Sequence, residues 1–159
     1  MRRVFALVFV VLLTLAACGP STPPPAPAEF TAEAHIIFGE SKFTALVTQA
    51  RPGTLSVEFT APEELAGLRL ALQGSTATLF YGELQTELTA LPASNFVALL
   101  GGVLLALAQQ TPAGLSRLRG GGWTLAGTAN GLHYQATISP DGTLTEVSAP
   151  SANLKITLS

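Results

Sequence analysis

Apolar and polar residues alternate along most of the chain from Phe30 to Ser159, with the two-residue period of β-strands that bury one face. The alternating runs are separated by turn sequences, which are Arg51-Pro52-Gly53, Gly74-Ser75, Asn130-Gly131 and Pro140-Asp141-Gly142. Proline presets one turn dihedral, and glycine or asparagine accepts a positive φ, so each sequence favours a chain reversal. The pattern predicts an antiparallel meander of about 8–9 strands with one apolar and one polar face.

One segment breaks this alternation and predicts a helix. Residues 96–108 read FVALLGGVLLALA, are apolar on every side, and follow Ser94, which suits a helix N-cap. We therefore predict one α-helix near residues 94–109, buried all round in the concavity of the sheet. The Gly101-Gly102 pair lowers helix propensity by about 1 kcal/mol per glycine relative to alanine. A close approach of the helix to a strand would explain why glycine stands at both positions.

These elements together predict an α+β fold. Its main part is a curved antiparallel sheet, unclosed and half-barrel-like, that wraps around the single apolar helix. The 130 residues from Phe30 to Ser159 are enough to bury one sizeable core. The sequence therefore predicts a single β-rich domain at 30–159.

The N-terminal segment is organised like a secretory signal peptide. Two arginines precede an apolar region of ten residues, Val4 to Leu13, which is shorter than the about 20 residues of a membrane-spanning helix. The residues Leu15-Ala16-Ala17-Cys18 resemble the lipobox of bacterial lipoproteins. The resemblance implies that residues 1–17 are removed and that Cys18 receives a diacylglyceryl group, which anchors the protein in a membrane. The alternative is an ordinary signal peptide followed by an unrelated cysteine.

Residues 18–29 are predicted to form a lipidated tether between the membrane and the domain. The stretch 19–29 holds five of the eleven prolines, a composition that favours extended polyproline II and builds no core. At ~3.1 Å per residue it spans some 30 Å, and a disordered spacer is the alternative. We expect the domain on the extracytoplasmic face of the cell membrane. An aspartate directly after the lipidated cysteine is associated with retention in the inner membrane. That position is Gly19 here, which favours the outer membrane if the source has two membranes.

The composition excludes several classes of partner. Only 11% of the residues are charged, against roughly 25% in an average soluble domain. Eight Lys and Arg against ten Asp and Glu give a net charge of −2, which becomes −4 without Arg2 and Arg3. A mildly acidic chain without a basic run argues against nucleic-acid binding. A single cysteine excludes a disulfide framework. We expect no cofactor, no metal and a monomer.

The residues that could carry catalysis are few. His35 and His133 lie on the polar faces of predicted strands, where a solvated histidine is the simpler interpretation, and Asp141 belongs to a turn. Glycoside hydrolysis needs two facing carboxylates about 5–9 Å apart across a cleft, whereas Glu83 and Glu87 lie on a polar strand face. No G-x-S-x-G sequence is present. The sequence predicts that the protein is not an enzyme.

The step Pro-Glu-Glu-Leu-Ala-Gly-Leu at residues 62–68, with the meander and the apolar helix, resembles small uncharacterised lipoproteins of Clostridia-type bacteria. Those proteins are similar in architecture to the LolA/LolB lipoprotein-carrier superfamily, an unclosed β-barrel whose inner face holds acyl chains around helices. The resemblance implies a hydrophobic cavity between the sheet and the helix. Its predicted lining residues are Phe96, Leu100, Val103, Leu107, Tyr81 and Trp123. Only one convincing helix is present where the carriers have further lid helices, so the helix side chains could instead fill the cavity, with Tyr81 and Trp123 as core aromatics.

Arg117 and Arg119 are the only clustered basic residues of the domain, and Gly120–Gly122 follow them. They are predicted either to contact lipid phosphates at the mouth of the cavity, assisted by glycine N–H groups, or to lie in a solvated loop. Two functions stay open. One is binding of a lipid, a lipoprotein or another hydrophobic ligand in the half-barrel. The other is a structural or protein-interaction module of the cell envelope with a packed core.

Overall fold

The computed structural model describes residues 29–88, 91, 95–108 and 113–159. The predicted signal peptide, Cys18 and the tether up to residue 28 lie outside the described residues. The strands are β1 (Phe30–Phe38), β2 (Ser41–Arg51), β3 (Thr54–Ala61), β4 (Leu68–Gln73), β5 (Thr76–Tyr81), β6 (Leu84–Leu88), β7 (Leu115–Arg117), β8 (Trp123–Ala129), β9 (Leu132–Ile138), β10 (Leu144–Ala149) and β11 (Leu154–Leu158). The helix α1 spans Phe96–Leu107, and two 3₁₀ turns span Glu63–Leu65 and Pro150–Ala152.

All these strands form one antiparallel sheet in the order β6-β5-β4-β3-β2-β1-β11-β10-β9-β8-β7. Strands that are neighbours in sequence pair with each other, except β6 and β7, and β11 also pairs with β1. The described sheet therefore ends at two edges, β6 and β7, and stays unclosed. The predicted α+β class and the unclosed curved sheet are confirmed, although the sheet has eleven strands where about 8–9 were expected from the alternation.

Strand alternation and helix packing build one core. The buried residues of β11 follow the strand period strictly, with Leu154, Ile156 and Leu158 inward and the residues between them exposed. The inner faces of the other strands add Ala34, Ile36, Ala45, Val47, Leu55, Val57, Leu70, Leu125, Ala136 and Ile138. The helix contributes its buried residues Val97, Leu99, Leu100, Val103 and Leu104 to the same cluster. Burial of apolar surface between α1 and the inner face of the sheet is the main stabilising contribution to the fold.

The N-cap of α1 is the residue after the predicted cap, Ser94. Asn95 is the N-cap: its Oδ1 accepts hydrogen bonds from the N–H groups of Val97 at 2.9 Å and Ala98 at 3.4 Å. Ser94 lies outside the described residues. Serine and asparagine are both favoured N-cap residues, so the sequence alone does not distinguish between the two positions. The prediction that the helix is buried all round is wrong at Leu105, whose side chain is 56% exposed.

The Gly101-Gly102 pair lets α1 touch both flanks of the sheet. A Cβ atom on Gly101 would lie 2.7 Å from Leu72 Cδ2 in β4, and one on Gly102 would lie 2.7 Å from Ala129 Cβ in β8. Strand β4 is third from one edge of the sheet and β8 is second from the other. The sheet therefore curves around the helix far enough for both flanks to reach it. The close approach predicted from the two glycines is confirmed.

The turn between β9 and β10 is held by the carboxylate of Asp141. It accepts hydrogen bonds from the Ser139 hydroxyl, from the Thr143 N–H at 3.4 Å and from the Thr143 hydroxyl at 3.1 Å. The Ser139 bond, followed by those from Thr143, holds the pKa of Asp141 below its ordinary value. The residue thus has the local, structural role expected of aspartate in a Pro-Asp-Gly turn.

We expect Asp141→Asn to lower the free energy of unfolding more at pH 7 than at roughly pH 2. A carboxylate whose folded-state pKa is lowered stabilises the fold above its unfolded-state pKa, about 3.9, and this contribution disappears as the pH falls through the folded-state pKa. Urea denaturation of both proteins at the two pH values measures the difference. A loss of the same size at both would show that the ionised carboxylate is not what holds this turn.

Candidate functional site

The predicted lining residues on α1 point into the core. Leu100 and Val103 are both 0% exposed. Phe96 is half-buried and meets the ring of Phe59 edge to face, with 5.8 Å between the ring centroids. Leu107 is half-buried and packs against the same core. This face of the helix therefore fills the concavity of the sheet, as the packed-core alternative expects.

The two aromatic residues proposed with them lie in different places. Trp123 is half-buried at the start of β8, pairs with Ile138 and packs against the core. Tyr81 is 52% exposed at the end of β5, so the interpretation of Tyr81 as a core aromatic is wrong. The physical reason is its position next to the sheet edge, since α1 packs chiefly on β3, β4 and β8. The structure does not bring Tyr81 and Trp123 together into one site.

The loop that follows β7 is an ordered turn. Arg117 and Arg119 are exposed, whereas Gly122 is buried with its backbone against Ile138, where a Cβ would lie 2.4 Å from the carbonyl oxygen. The Gly121 N–H donates to the Leu118 carbonyl, and the Leu118 N–H donates to the Gly122 carbonyl, both at 3.1 Å. Because the Gly121 N–H is used within the turn, it does not assist the arginines in binding a phosphate.

A groove of about 510 Å³ opens on the opposite face of α1. We call it the tip groove, because the turns between strands form its rim. The helix contributes Ala98, Gly101, Gly102 and Leu105, which recur at the three- and four-residue spacing of one helical face. The sheet contributes Leu55 and Leu72, and the rim includes Gly53, Gly74, Ser75 and Asn130. Its volume falls in the range of about 300–1,000 Å³ typical of small-molecule sites.

Leucine, alanine and glycine make up most of the lining of the tip groove, and polar groups lie near its rim. Leu104 is nearly buried in its wall, and Leu105 is the exposed apolar side chain. Gln49 is a buried polar residue of the lining. The Thr54 hydroxyl belongs to the β2–β3 turn, where it donates to the Arg51 carbonyl at 2.8 Å. This arrangement suits a ligand with an apolar body and a polar end.

One signal in the sequence could have indicated this site. The small residues Ala98, Gly101 and Gly102 share a helix face with Leu105, and a face of small residues leaves room above the helix wherever the sheet does not fill it. The larger side chains at Leu100 and Val103 mark the opposite face, which fills the core. The size of the side chains, and not their hydrophobicity, distinguishes the two faces.

The structure also locates the polar residues considered for chemistry. His35 Nε2 lies 3.2 Å from Glu33 Oε1, and His133 Nδ1 lies 3.0 Å from Thr128 Oγ1, with all four side chains exposed. Among residues 29–88, 91, 95–108 and 113–159, no three His, Cys, Asp or Glu side chains are grouped so that they could hold a metal ion. None of the helices described there is long and apolar enough to cross a membrane.

Comparisons with known proteins find similarity only among solved structures. No family model matches the chain, and no curated protein matches it. An uncharacterized conserved protein from Thermus thermophilus is similar with a TM-score of 0.48 and 14% identity, over 80% of this chain and 74% of that one. A LolA superfamily protein from Nitrosomonas europaea is similar with a TM-score of 0.43 and 9% identity, over 84% of each chain. At these values neither similarity assigns a family or a function to this chain.

Proposed function

We propose that this protein is a non-catalytic binding module of the cell envelope that holds an apolar or amphipathic ligand, such as a lipid, in the tip groove. The observation that carries the proposal is the groove itself, about 510 Å³ in volume and lined mainly by leucine, alanine and glycine residues. In this proposal the diacylglyceryl group on Cys18 anchors the domain on the extracytoplasmic face of the membrane, or in the outer membrane of a source that has two.

Exposed apolar surface in the groove favours an apolar ligand. Leu105 is 56% exposed, and its side chain lines the groove together with Leu55 and Leu72. Covering such surface is favourable by about 25 cal/mol per Å² of apolar area removed from water. The side chains of Ser75 and Asn130 at the rim offer hydrogen bonds to a polar end of the same ligand.

The entry point of the tether also favours a ligand taken from the membrane. Strand β1 begins at Phe30, which pairs with Gln49, and Gln49 lines the tip groove. The segment that carries Cys18 therefore joins the domain beside the groove. A tether of some 30 Å keeps this side of the domain within reach of the membrane surface to which it is attached.

The second candidate function is a structural or protein-interaction module of the envelope. The observation that favours it is the complete burial of Leu100 and Val103, which leaves the concave face of the sheet filled. In that case the tip groove holds no ligand, and the polar outer face of the sheet docks another envelope component. The two functions differ in whether the isolated protein carries a bound small molecule.

We expect Ala98→Trp to weaken retention of a lipid about tenfold or more, which corresponds to about 1.4 kcal/mol, because an indole ring on the floor of the groove occupies the space of the ligand. The matched control is Ala126→Trp, which places the same ring on an exposed position of β8 that faces away from α1. The protein is residues 19–159, secreted without the lipidation cysteine.

Native mass spectrometry, followed by solvent extraction and lipid analysis, measures the outcome. A stoichiometric lipid on the unsubstituted protein and on Ala126→Trp, but not on Ala98→Trp, supports binding in the tip groove. Equal retention by both variants places the ligand elsewhere. A clean apo mass that stays unchanged after incubation with vesicles of phosphatidylethanolamine and phosphatidylglycerol contradicts the proposal and favours the interaction module.

A further inference from the structure

Strand β6 is an edge of the sheet with little protection by its own side chains. Four of its five residues are exposed, and no strand in the described part of the chain pairs with its outer side. Natural proteins protect such edges with lysine, proline, bulges or very short strands. Strand β6 has neither lysine nor proline, its only charged residue is Glu87, and it pairs with β5 without a register shift. The opposite edge, β7, has only three residues and ends at Arg117, so it is protected in the usual way.

The Gly82-Glu83 turn determines which main-chain groups of β6 point outwards. The turn joins Tyr81 to Leu84, which lie directly opposite each other, and the residues that close a two-residue hairpin exchange hydrogen bonds across the strands. The N–H and C=O groups of successive residues in a strand point to opposite sides. Those of Leu84, Thr86 and Leu88 therefore face β5. The N–H and C=O groups of Gln85 and Glu87 therefore face away from the sheet.

We propose that β6 pairs with β6 of a second copy of this chain, antiparallel, around a two-fold axis at Thr86. In this register Gln85 lies opposite Glu87 of the second copy, and the two residues exchange main-chain hydrogen bonds in both directions. The axis generates the same pair a second time. All the outward-facing N–H and C=O groups of Gln85 and Glu87 are then satisfied, and the two sheets become one continuous sheet.

The side chains of β6 are self-complementary in this register. Leu84 is 73% exposed, the highest value among the large apolar residues that the structure describes, and it meets Leu88 of the second copy on the inner face. Thr86 meets its own copy on the axis in a close, non-hydrogen-bonded pair, and such Thr–Thr pairs stabilise sheets. On the outer face the Gln85 amide lies opposite the Glu87 carboxylate.

Charge selects this register over its nearest neighbours. The register must place outward-facing residues opposite each other. The two strands can therefore slip only so that each residue's partner changes by two positions, which moves the two-fold axis by one residue. One slip centres the axis on Glu87 and brings two Glu87 carboxylates together. The opposite slip centres it on Gln85 and brings Glu87 against Glu83. Like charges directly opposite destabilise a sheet, and of these three registers only the one centred on Thr86 avoids them.

A cysteine on the proposed axis tests the register directly. We expect Thr86→Cys to form an intermolecular disulfide under mild oxidation, because its Cβ would lie about 4.5–5.5 Å from its own copy. The control is Leu84→Cys, whose two copies would lie four residues apart across the axis, beyond the roughly 7 Å limit between Cα atoms for a disulfide. The protein of residues 19–159 contains no other cysteine, so the only thiol is the introduced one.

Rapid disulfide formation by Thr86→Cys and not by Leu84→Cys supports the proposed dimer. Equal formation by both variants, or by neither, overturns it. Thr86→Cys introduced into the anchored protein on whole cells adds one more outcome: a disulfide to a different polypeptide, without the homodimer, would show that the edge receives another partner and would also overturn the assignment.

A proline at position 87 removes the two main-chain hydrogen bonds that the Glu87 N–H groups donate in the dimer, while it spares the monomer. Its N–H faces away from β5, and proline is tolerated at such edge positions. Two hydrogen bonds are lost per dimer, so we expect the dissociation constant of Glu87→Pro to rise roughly thirtyfold relative to Glu87→Ala, which keeps the N–H. Sedimentation velocity over a concentration series measures it, with thermal unfolding to verify the fold. Equal dissociation constants for the two variants overturn the proposal, whether or not the tip groove binds a ligand.

Discussion

Leu100→Ala is expected to lower the free energy of unfolding by about 3–4 kcal/mol. Leu100 is 0% exposed and lies on the face of α1 that fills the concavity of the sheet. Truncation removes its apolar contacts and leaves a cavity that the sheet closes only in part, because β-strands held by ladders on both sides cannot collapse freely onto the helix. The loss is a large fraction of the total stability of a domain this size.

Leu105→Ala is the matched control for this prediction. It removes the same atoms from the same helix, but the side chain is 56% exposed, so we expect a loss of about 0.5 kcal/mol or less. Urea denaturation followed by circular dichroism and by the fluorescence of Trp123 measures both variants. Equal losses would mean that α1 does not present the Leu100 face to the core, and the position of the tip groove would then be wrong as well.

The same burial decides how ligand binding can be tested. A bulky substitution such as Leu100→Trp overpacks the core, because no space exists around a side chain that is 0% exposed. Any effect on binding would then come from unfolding. Ala98 lies on the other face of the helix, in the lining of the tip groove, so Ala98→Trp changes the groove without entering the core.

Strand alternation predicts most of the sheet, and it fails where local geometry interrupts the period. Strand β10 carries a register shift between Leu144 and Glu146, so its buried residues Leu144 and Val147 are three apart and do not alternate. Strand β7 has three residues, too few for a period to be recognised, so the sequence predicts a loop there. These two strands account for the difference between the predicted and the observed sheet.

The orientation of α1 could not be predicted from its hydrophobicity. A helix that is apolar on every side contains no contrast between an inner and an outer face, so Leu100 and Leu105 are equivalent in the pattern. The choice between them depends on where the flanks of the sheet approach the helix, which is a tertiary feature. The absence of a side chain at Gly101 and Gly102 indicates where the flanks of the sheet approach the helix, since each glycine faces a strand at close range.

Gly102→Ala is expected to destabilise the fold by about 2 kcal/mol, although alanine is the better helix former by about 1 kcal/mol. The new Cβ would lie 2.7 Å from the Cβ of Ala129, an atom fixed to the backbone of β8 that cannot rotate away. Either α1 or the flank of the sheet that contains β8 must move outwards, and the contacts around both are lost.

Gly101→Ala is a close control, because its new Cβ would also meet an atom at 2.7 Å, the Cδ2 of Leu72. That atom is the end of a flexible side chain and can turn aside, so the gain in helix propensity should dominate and leave the stability unchanged or raised by up to about 1 kcal/mol. Of the two adjacent substitutions, only Gly102→Ala is therefore expected to lower the free energy of unfolding, and urea denaturation measures both.

Ala129→Gly should restore most of the stability that Gly102→Ala loses, because it removes the obstructing Cβ. In a double-mutant cycle the two substitutions should couple by about 2 kcal/mol, which separates a direct contact from two independent losses. Coupling near zero would mean that α1 and β8 do not touch at this point. The sheet would then curve around the helix less tightly than the two glycine contacts require. The volume of the tip groove, which lies beside these contacts, would then exceed about 510 Å³.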